Sequence, residues 1–164
     1  MTEDICWASY VKDISLVQNL LSQGAELESK DRDERTPLLN AVSGDNITLE
    51  LVALLIEAGA DVNAQDGAGY SPLHFCAQNR LPDIAKLLIE NGANPDLKDR
   101  WGNLPLWRAL GNEEECQTLI ELFIKCNSDP YSKNNSGVSI MDHVMKLKSH
   151  PNHEYFKRIR ESGP

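Results

Sequence analysis

The stretch DGAGYSPLHFCAQNRLPDIAKLLIENGAN, residues 66–94, contains one complete helix–turn–helix pattern with its boundaries marked. Ser71 is a residue type that caps helix N-termini, and Pro72 stands at the first helical position, where a missing amide proton costs nothing. A second apolar run with helical spacing covers residues 84–89, and Gly92 stands where a left-handed residue ends a helix. These residues predict two short helices joined by a turn.

Two independent landmarks of this pattern recur along the chain at the same spacing. The residue after the cap and the residue that ends the second helix both recur at intervals of 35, 33 and 35 residues. The first series is Pro37, Pro72, Pro105 and Ile140, and the second is Gly24, Gly59, Gly92 and Asn127. A period of about 33 residues with a turn and two helices predicts a solenoid, in which neighbouring units bury each other's apolar faces.

The chain resembles the ankyrin repeat family. The family's TPLH box stands as SPLH at residues 71–74, and its GADVN tail stands unchanged at residues 59–63. This resemblance implies an all-α ankyrin repeat solenoid of about five helix–turn–helix repeats, with β-turn tips and atypical terminal caps. We expect a single domain over residues 1–164, with approximate repeats 1–30, 31–65, 66–98, 99–133 and 134–164.

Several repeats depart from the family pattern. The first unit has no TPLH box, as expected of an N-terminal cap with one face in water. Glu34 replaces the glycine before the second box, so that turn needs a non-glycine residue in an unusual conformation. Repeats two and four carry extra residues between their helices, near 43–46 and 111–115. These insertions either enlarge a binding edge or reflect neutral drift in a surface loop.

The composition of the chain limits the classes of function that it can have. Of the 164 residues 41% are hydrophobic, but no apolar run approaches the roughly 20 residues that cross a bilayer. No secretion signal follows Met1, and the four cysteines form no CxxC pair, which favours reduced thiols. We therefore expect a cytoplasmic protein that is a monomer when free and has no membrane partner.

The net charge of −9 is unevenly distributed. Residues 1–132 carry 10 basic and 22 acidic side chains, for a net charge of −12, whereas residues 133–164 carry 6 and 3, for +3. An acidic body repels phosphate, so nucleic acid is not an expected partner, and a basic protein is favoured because opposite fields speed encounter. Alternatively, the charge only maintains solubility.

No catalytic motif is present in the sequence. There is no phosphate-binding GxxxxGK, no GxSxG and no HExxH. The resemblance implies that His74, the histidine of the box, bonds backbone groups of a neighbouring turn. His143, His150 and His153 cluster in sequence, but the break at Pro151 leaves no helical face to align them as zinc ligands. We expect no enzymatic activity, no cofactor and no metal.

Ankyrin repeats typically bind partners through their turn tips and the ends of their first helices. Carried over residue by residue, the resemblance implies a partner-binding set: Arg32, Asp33, Arg35, Tyr70, Gln78, Asn79, Arg100, Trp101, Asn103, Trp107, Arg108 and Asn112. Tyr70, Arg100 and Trp101 stand out, because exposed aromatic and arginine side chains are enriched at binding hot spots. The alternatives are that Trp101 packs against a neighbouring tip and that Trp107 belongs to the core.

Two segments suggest a narrower function. GNLPLWRAL at residues 102–110 and SGVSIMDHV at residues 136–144 are similar to small stand-alone bacterial ankyrin proteins, including immunity proteins that neutralise toxins. We expect a chain with both caps and no attached effector domain, and we therefore predict a cytoplasmic inhibitor that binds a cognate, basic toxin or effector. The alternative is a scaffold or adaptor that joins other proteins.

Overall fold

Every regular element that the computed structural model assigns within residues 4–111 and 113–162 is a helix. This confirms the predicted all-α architecture. No helix in these ranges combines the length and apolar character needed to cross a membrane. The helices are α1 (Ile5–Tyr10), α2 (Ile14–Ser22), α3 (Pro37–Ala41), α4 (Leu49–Glu57), α5 (Pro72–Gln78), α6 (Pro82–Glu90), α7 (Pro105–Arg108), α8 (Glu114–Lys125), α9 (Ile140–Lys146) and α10 (His153–Ser162).

Consecutive helices form pairs that stack in chain order. α1, α3, α5 and α7 are the first helices of successive pairs and contact one another in that order, forming the first-helix row. α4, α6 and α8 contact one another in the same way and belong to the second-helix row. α9 packs on α10 at the end of the stack. Each pair therefore buries its apolar side against the next, as a solenoid requires.

Local capping explains why such short helices form. Thr36 accepts a hydrogen bond from the Leu39 N–H through its hydroxyl at 3.4 Å, and Pro37 follows it at the first helical position. Ser139 and Asp142 form a reciprocal capping box at the start of α9. Helices of four to seven residues, such as α7 and α5, are unstable in isolation, so packing against their neighbours must hold them.

The predicted left-handed helix ends are confirmed. Gly59, Gly92 and Asn127 have φ values of 97°, 89° and 62°. At the turn tips Gly69 has φ 80°, and a Cβ atom there would lie 2.9 Å from the Arg100 backbone nitrogen. Glu34 occupies the equivalent place in the preceding tip with φ 59°, a region that costs a residue with a Cβ atom roughly 1–2 kcal/mol.

One continuous apolar core runs through the stack from Ile5 to Phe156. Its largest fully buried side chains come from both helix rows: Phe123, Phe156, Leu38, Leu39, Leu51, Leu55, Leu73, Leu88, Leu104, Leu106, Leu119 and Ile120. The rows therefore share a single interior, and the turn tips extend from it as a rigid edge.

Candidate protein-binding surface

Buried aspartates hold the turn tips in shape. The Asp66 carboxylate accepts the N–H groups of Ala68 and Tyr70 at 2.9 and 2.8 Å. The Asp99 carboxylate accepts those of Trp101 and Asn103, both at 2.9 Å. Both aspartates are buried, so each tip is fixed before any partner arrives. Such preorganisation lowers the entropic cost of binding.

Backbone hydrogen bonds join each tip to the next. The N–H of Gly67 donates to the Asp33 carbonyl at 3.2 Å, and the N–H of Arg100 donates to the Ala68 carbonyl at 2.9 Å. The N–H of Asn135 donates to the Trp101 carbonyl, also at 2.9 Å. The tips therefore form a continuous edge along the stack.

An aromatic cluster occupies the middle of this edge. The Tyr70 ring stacks on His74 with centroids 5.5 Å apart and meets Phe75 edge-on at 5.7 Å. The Trp101 ring lies 6.1 Å from Tyr70 in a tilted arrangement. Together with Arg108, described next, these four rings form what we call the Tyr70 cluster. Burial raises the pKa of the Tyr70 hydroxyl, which stays protonated at neutral pH.

Arg108 reaches the cluster from α7. Its guanidinium carbon lies 4.9 Å from the centroid of the Tyr70 ring, and its Nη2 donates a hydrogen bond to the Tyr70 hydroxyl. The same nitrogen lies 3.4 Å from Asp99 Oδ2. Arg108 therefore ties the Tyr70 tip to the Asp99 tip through both a cation–π contact and an ion pair.

The cluster leaves part of its surface open. Trp101 is 47% exposed, and the exposed Arg100 guanidinium lies 5.4 Å from its ring centroid. The expectation that Tyr70 is equally exposed is wrong, because its ring is held among His74, Phe75 and Arg108 and is only partly accessible. Arg100 and Trp101 are therefore the accessible part of this site, and Tyr70 supports them from beneath.

The remaining predicted residues near the tips differ in how far their side chains are exposed. Arg32, Asp33 and Gln78 are exposed. Arg35 is half-buried, with its Nε 3.6 Å from Asp66 Oδ2 and its guanidinium carbon 5.3 Å from the centroid of the Phe75 ring. Arg35 therefore has internal partners, whereas the first three are accessible to a partner protein.

Other members of the predicted set bond within the fold. Asn79 donates through its side chain to the Val42 carbonyl at 3.1 Å, which links two helix ends. Asn103 accepts from the Asn134 side chain at 3.0 Å, which links two tips. Asn112 lies outside the described residues.

Trp107 is half-buried and packs against His143, with ring centroids 5.3 Å apart. Its indole nitrogen is inaccessible to solvent and has no acceptor among the described residues. This arrangement agrees with the alternative of interior packing and leaves Trp107 little surface to offer a partner.

His74 bonds the neighbouring turn, as the resemblance implied. Its Nδ1 accepts the Ser71 N–H at 3.1 Å, which leaves Nε2 as the protonated nitrogen, and Nε2 donates to the Asn103 carbonyl at 3.1 Å. Burial lowers the pKa of His74 and favours this neutral form. The imidazole thus links repeat three to the tip of repeat four.

The acidic side chains lie away from the first-helix row. Arg108 is the only Asp, Glu, Lys or Arg residue in α1, α3, α5 and α7. The second-helix row carries six exposed acidic residues: Glu50, Glu57, Asp83, Glu90, Glu114 and Glu115. The first-helix row is thus uncharged apart from Arg108, and the acidic surface is formed by the second helices together with the loops and tips, where Asp33 and Glu34 are also exposed.

Two exposed aromatic residues were missed by the sequence reasoning. Trp7 and Tyr10 on α1 are 47% and 55% exposed, and Val11 follows them at 44%. Their spacing of three and four positions places them on one face of a helix. The first repeat was interpreted as a cap, so no binding position was carried onto it.

A metal site is not formed by the described ranges, in which no group of three or more His, Cys, Asp or Glu side chains could hold an ion. His143 and His150 do approach each other, with ring centroids 5.8 Å apart. The Nδ1 atom of His153, in contrast, lies 3.1 Å from the Val144 carbonyl oxygen.

Stacked helix pairs with hydrogen-bonded turn tips define a helical repeat protein. The chain belongs to the ankyrin repeat family: the family model for ankyrin repeats in three copies matches residues 5–99. Ankyrin repeats are protein–protein interaction modules and a non-catalytic fold.

The chain is also similar to several curated proteins. An ankyrin repeat protein of variola virus is 32% identical over 114 residues, which cover 70% of this chain and 20% of that protein. Human protein phosphatase 1 regulatory subunit 27 is 46% identical over 75 residues, covering 46% of this chain and 47% of the relative. The mouse B-cell lymphoma 3 protein homolog is 38% identical over 88 residues, 53% of this chain and 19% of the relative. The matched segments span less than half of each relative.

Proposed function

We propose that this chain is a cytoplasmic inhibitor that binds a cognate toxin or effector protein and neutralises it. The observation that carries this proposal is the pair Arg100 and Trp101, exposed side by side on a preorganised tip. Arginine and tryptophan are the residue types most enriched among binding hot spots. Because the tip is already fixed by Asp99, little conformational entropy is lost when a partner docks.

The charge distribution supports a basic partner. The net charge of −9 attracts a positively charged protein over a distance of about 10 Å at ordinary salt. Exposed acids of the second-helix row and of the loops and tips supply this field, and the tips make the contact. Binding that places the tip edge over a partner's active site would exclude its substrate.

The name of one relative supports a role for this chain in controlling the activity of another protein. The human relative that matches 46% of this chain is named as a regulatory subunit of protein phosphatase 1. That similarity concerns the repeats alone, yet it agrees with a role in which the ankyrin surface governs an enzyme rather than performing a reaction.

The test is affinity capture from the source organism, followed by purification of the captured protein and measurement of its activity with increasing amounts of this chain. The proposal predicts stoichiometric loss of activity, relieved when the Trp101→Ala variant replaces the wild type. A captured partner that keeps full activity at saturation would rule out inhibition.

A scaffold that joins two proteins is the second candidate. It is favoured by the presence of a second exposed aromatic group, Trp7 and Tyr10, outside the Tyr70 cluster. Simultaneous binding of two different proteins, one lost with Trp101→Ala and the other with Trp7→Ala, would support this function over inhibition.

A further inference from the structure

A cleft of about 660 Å³ lies between α1 and the turn at residues 30–35. One wall is the exposed face of α1 with Trp7 and Tyr10, and the other is the turn with Lys30 and Arg32. The site is distinct from the Tyr70 cluster, and neither Trp7 nor Tyr10 has a role in the inhibitory function proposed above.

The polar groups on the floor of the cleft already have partners. The Cys6 thiol donates to the Ser29 carbonyl at 3.2 Å. The Asn40 side chain donates to Asp31 Oδ2 at 2.8 Å. At Cys6 and Asn40, an incoming apolar side chain therefore meets polar groups that already have hydrogen-bond partners.

The acidic groups of the cleft are also engaged. Asp4 caps α1 by accepting the Trp7 N–H at 2.7 Å. Asp31 accepts the N–H groups of Asp33 and Arg35 at 2.8 and 3.0 Å. Burial raises the pKa of Asp31, but its hydrogen bonds from Asn40 and the backbone outweigh that effect and lower it overall. Asp31 is therefore a charged structural group of the turn.

Two cations of the cleft have no partner among the described residues, whereas the exposed Asp33 carboxylate lies 3.9 Å from Arg35 Nη1. Arg35 is occupied, since it lies 3.6 Å from Asp66 and 3.9 Å from Asp33. Lys30 and Arg32 are exposed, and in the part of the chain that the structure describes neither makes a hydrogen bond or an ion pair. Both are thus available to bind a carboxylate from another molecule.

We propose that this cleft binds an extended segment of a partner protein, which places a large apolar side chain against Trp7 and Tyr10 and a carboxylate against Lys30 and Arg32. The aromatic rings supply the apolar contact area, and the two free cations select the flanking charge. This site does not depend on the inhibitory role, because it is defined by its own lining and can be tested without the toxin.

A peptide fits the charge of the molecule better than a nucleic acid does. Aromatic rings beside cations also suit single-stranded nucleic acid, whose bases stack on such rings. A nucleic-acid strand, however, carries a phosphate at every nucleotide and is repelled by the net charge of −9 of the whole chain. A peptide presents only one or two carboxylates, and these lie at the cleft.

Three short fluorescent peptides and one oligonucleotide serve as probes with the full chain. The acidic probe has a central phenylalanine flanked by two glutamates in a Gly–Ser background. The basic probe has lysines in place of the glutamates, and the third probe has alanine in place of the phenylalanine. A short oligo-dT is the fourth. Affinities are measured by anisotropy, and the site is located by backbone amide NMR shifts.

We expect the acidic probe to shift the amides around the cleft and to bind about tenfold or more tightly than the basic and alanine probes. Trp7→Ala should weaken its binding about tenfold. Lys30→Glu with Arg32→Glu should reverse the preference toward the basic probe. Because both cations are exposed, the charge-reversed chain is expected to fold normally, which keeps the test valid even if Trp7→Ala does not fold.

Tyr131→Ala is the matched control, since it removes a 51% exposed aromatic side chain elsewhere on the surface and should leave probe binding unchanged. Trp101→Ala should also leave it unchanged, which separates this site from the Tyr70 cluster. Equal or tighter binding of the basic probe, amide shifts confined to other surfaces, or tighter binding of oligo-dT would each overturn the proposal.

Discussion

The Arg108 guanidinium carbon lies 4.9 Å from the centroid of the Tyr70 ring, and Arg108 Nη2 donates a hydrogen bond to the Tyr70 hydroxyl. The two residues belong to different repeats, 38 positions apart. Because Arg108 also lies 3.4 Å from Asp99, it adds an ion pair between two tips that backbone hydrogen bonds also join. The orientation of Trp101 next to Tyr70 is therefore a property of two repeats acting together.

Replacing Arg108 with alanine should lower the free energy of unfolding by about 1–2 kcal/mol, since a cation–π contact and charge-assisted hydrogen bonds are lost. Urea denaturation measures the change. Arg100→Ala is the control, because the exposed Arg100 side chain lies over the Trp101 ring and its loss should cost no more than about 0.5 kcal/mol. Equal effects of the two changes would show that Arg108 does not hold the tips together.

Replacing Glu34 with glycine should stabilise the protein by about 0.5–1 kcal/mol. Glu34 has φ 59°, which glycine adopts without strain, although glycine also gives the unfolded chain more freedom. Glu34→Ala is the matched control, because alanine removes the carboxylate but keeps the Cβ atom. Thermal melts measure the stability of both variants. If alanine also stabilised the protein, the gain would come from removing the Glu34 carboxylate and not from relieving backbone strain.

Replacing Leu88 with alanine should cost about 2–5 kcal/mol, because this fully buried side chain of α6 fills the space between stacked repeats. Leu49→Ala, at a position that is 49% exposed, should cost much less. Denaturant midpoints measure both variants. A loss at Leu88 no larger than the loss at Leu49 would argue against the common core.

Acidification should destabilise the protein through His74. Burial lowers the pKa of His74 in the folded state, so below the unfolded pKa of about 6.5 the unfolded chain binds the proton and the folded chain does not. The contribution of His74 is therefore complete above that value and is lost as pH falls toward the lower folded pKa. Each pH unit in this window is worth up to about 1.4 kcal/mol.

His74→Gln isolates this contribution. Unfolding free energies measured at about pH 7.5 and pH 5.5 should differ less in the variant than in the wild type, even though the variant is less stable at both. His143, His150 and His153 are unchanged and supply the same background in both proteins. An identical pH dependence would show that His74 does not couple proton binding to folding.

The sequence was sufficient to predict the helix pairs, because the caps, the left-handed helix ends and the period all lie in local residue patterns. Gly92 and Asn127 ended their helices as predicted. The site was harder to predict, since the accessibility of Tyr70 depends on Arg108 from another repeat. Trp7 and Tyr10 were missed because a first repeat without a box offered no motif position to carry over. The repeat boundaries and the partner-binding role of the tips stay predictions.

The accessible half of the Tyr70 cluster gives the most direct test of the account. Isothermal titration of the captured partner into wild-type and Trp101→Ala chains compares their dissociation constants, and a thermal melt checks the fold. The account predicts a loss of about 2 kcal/mol in binding free energy, roughly thirtyfold in affinity, with little change in melting temperature, because Trp101 is 47% exposed. An unchanged dissociation constant would contradict the claim that the tip with Trp101 binds a partner.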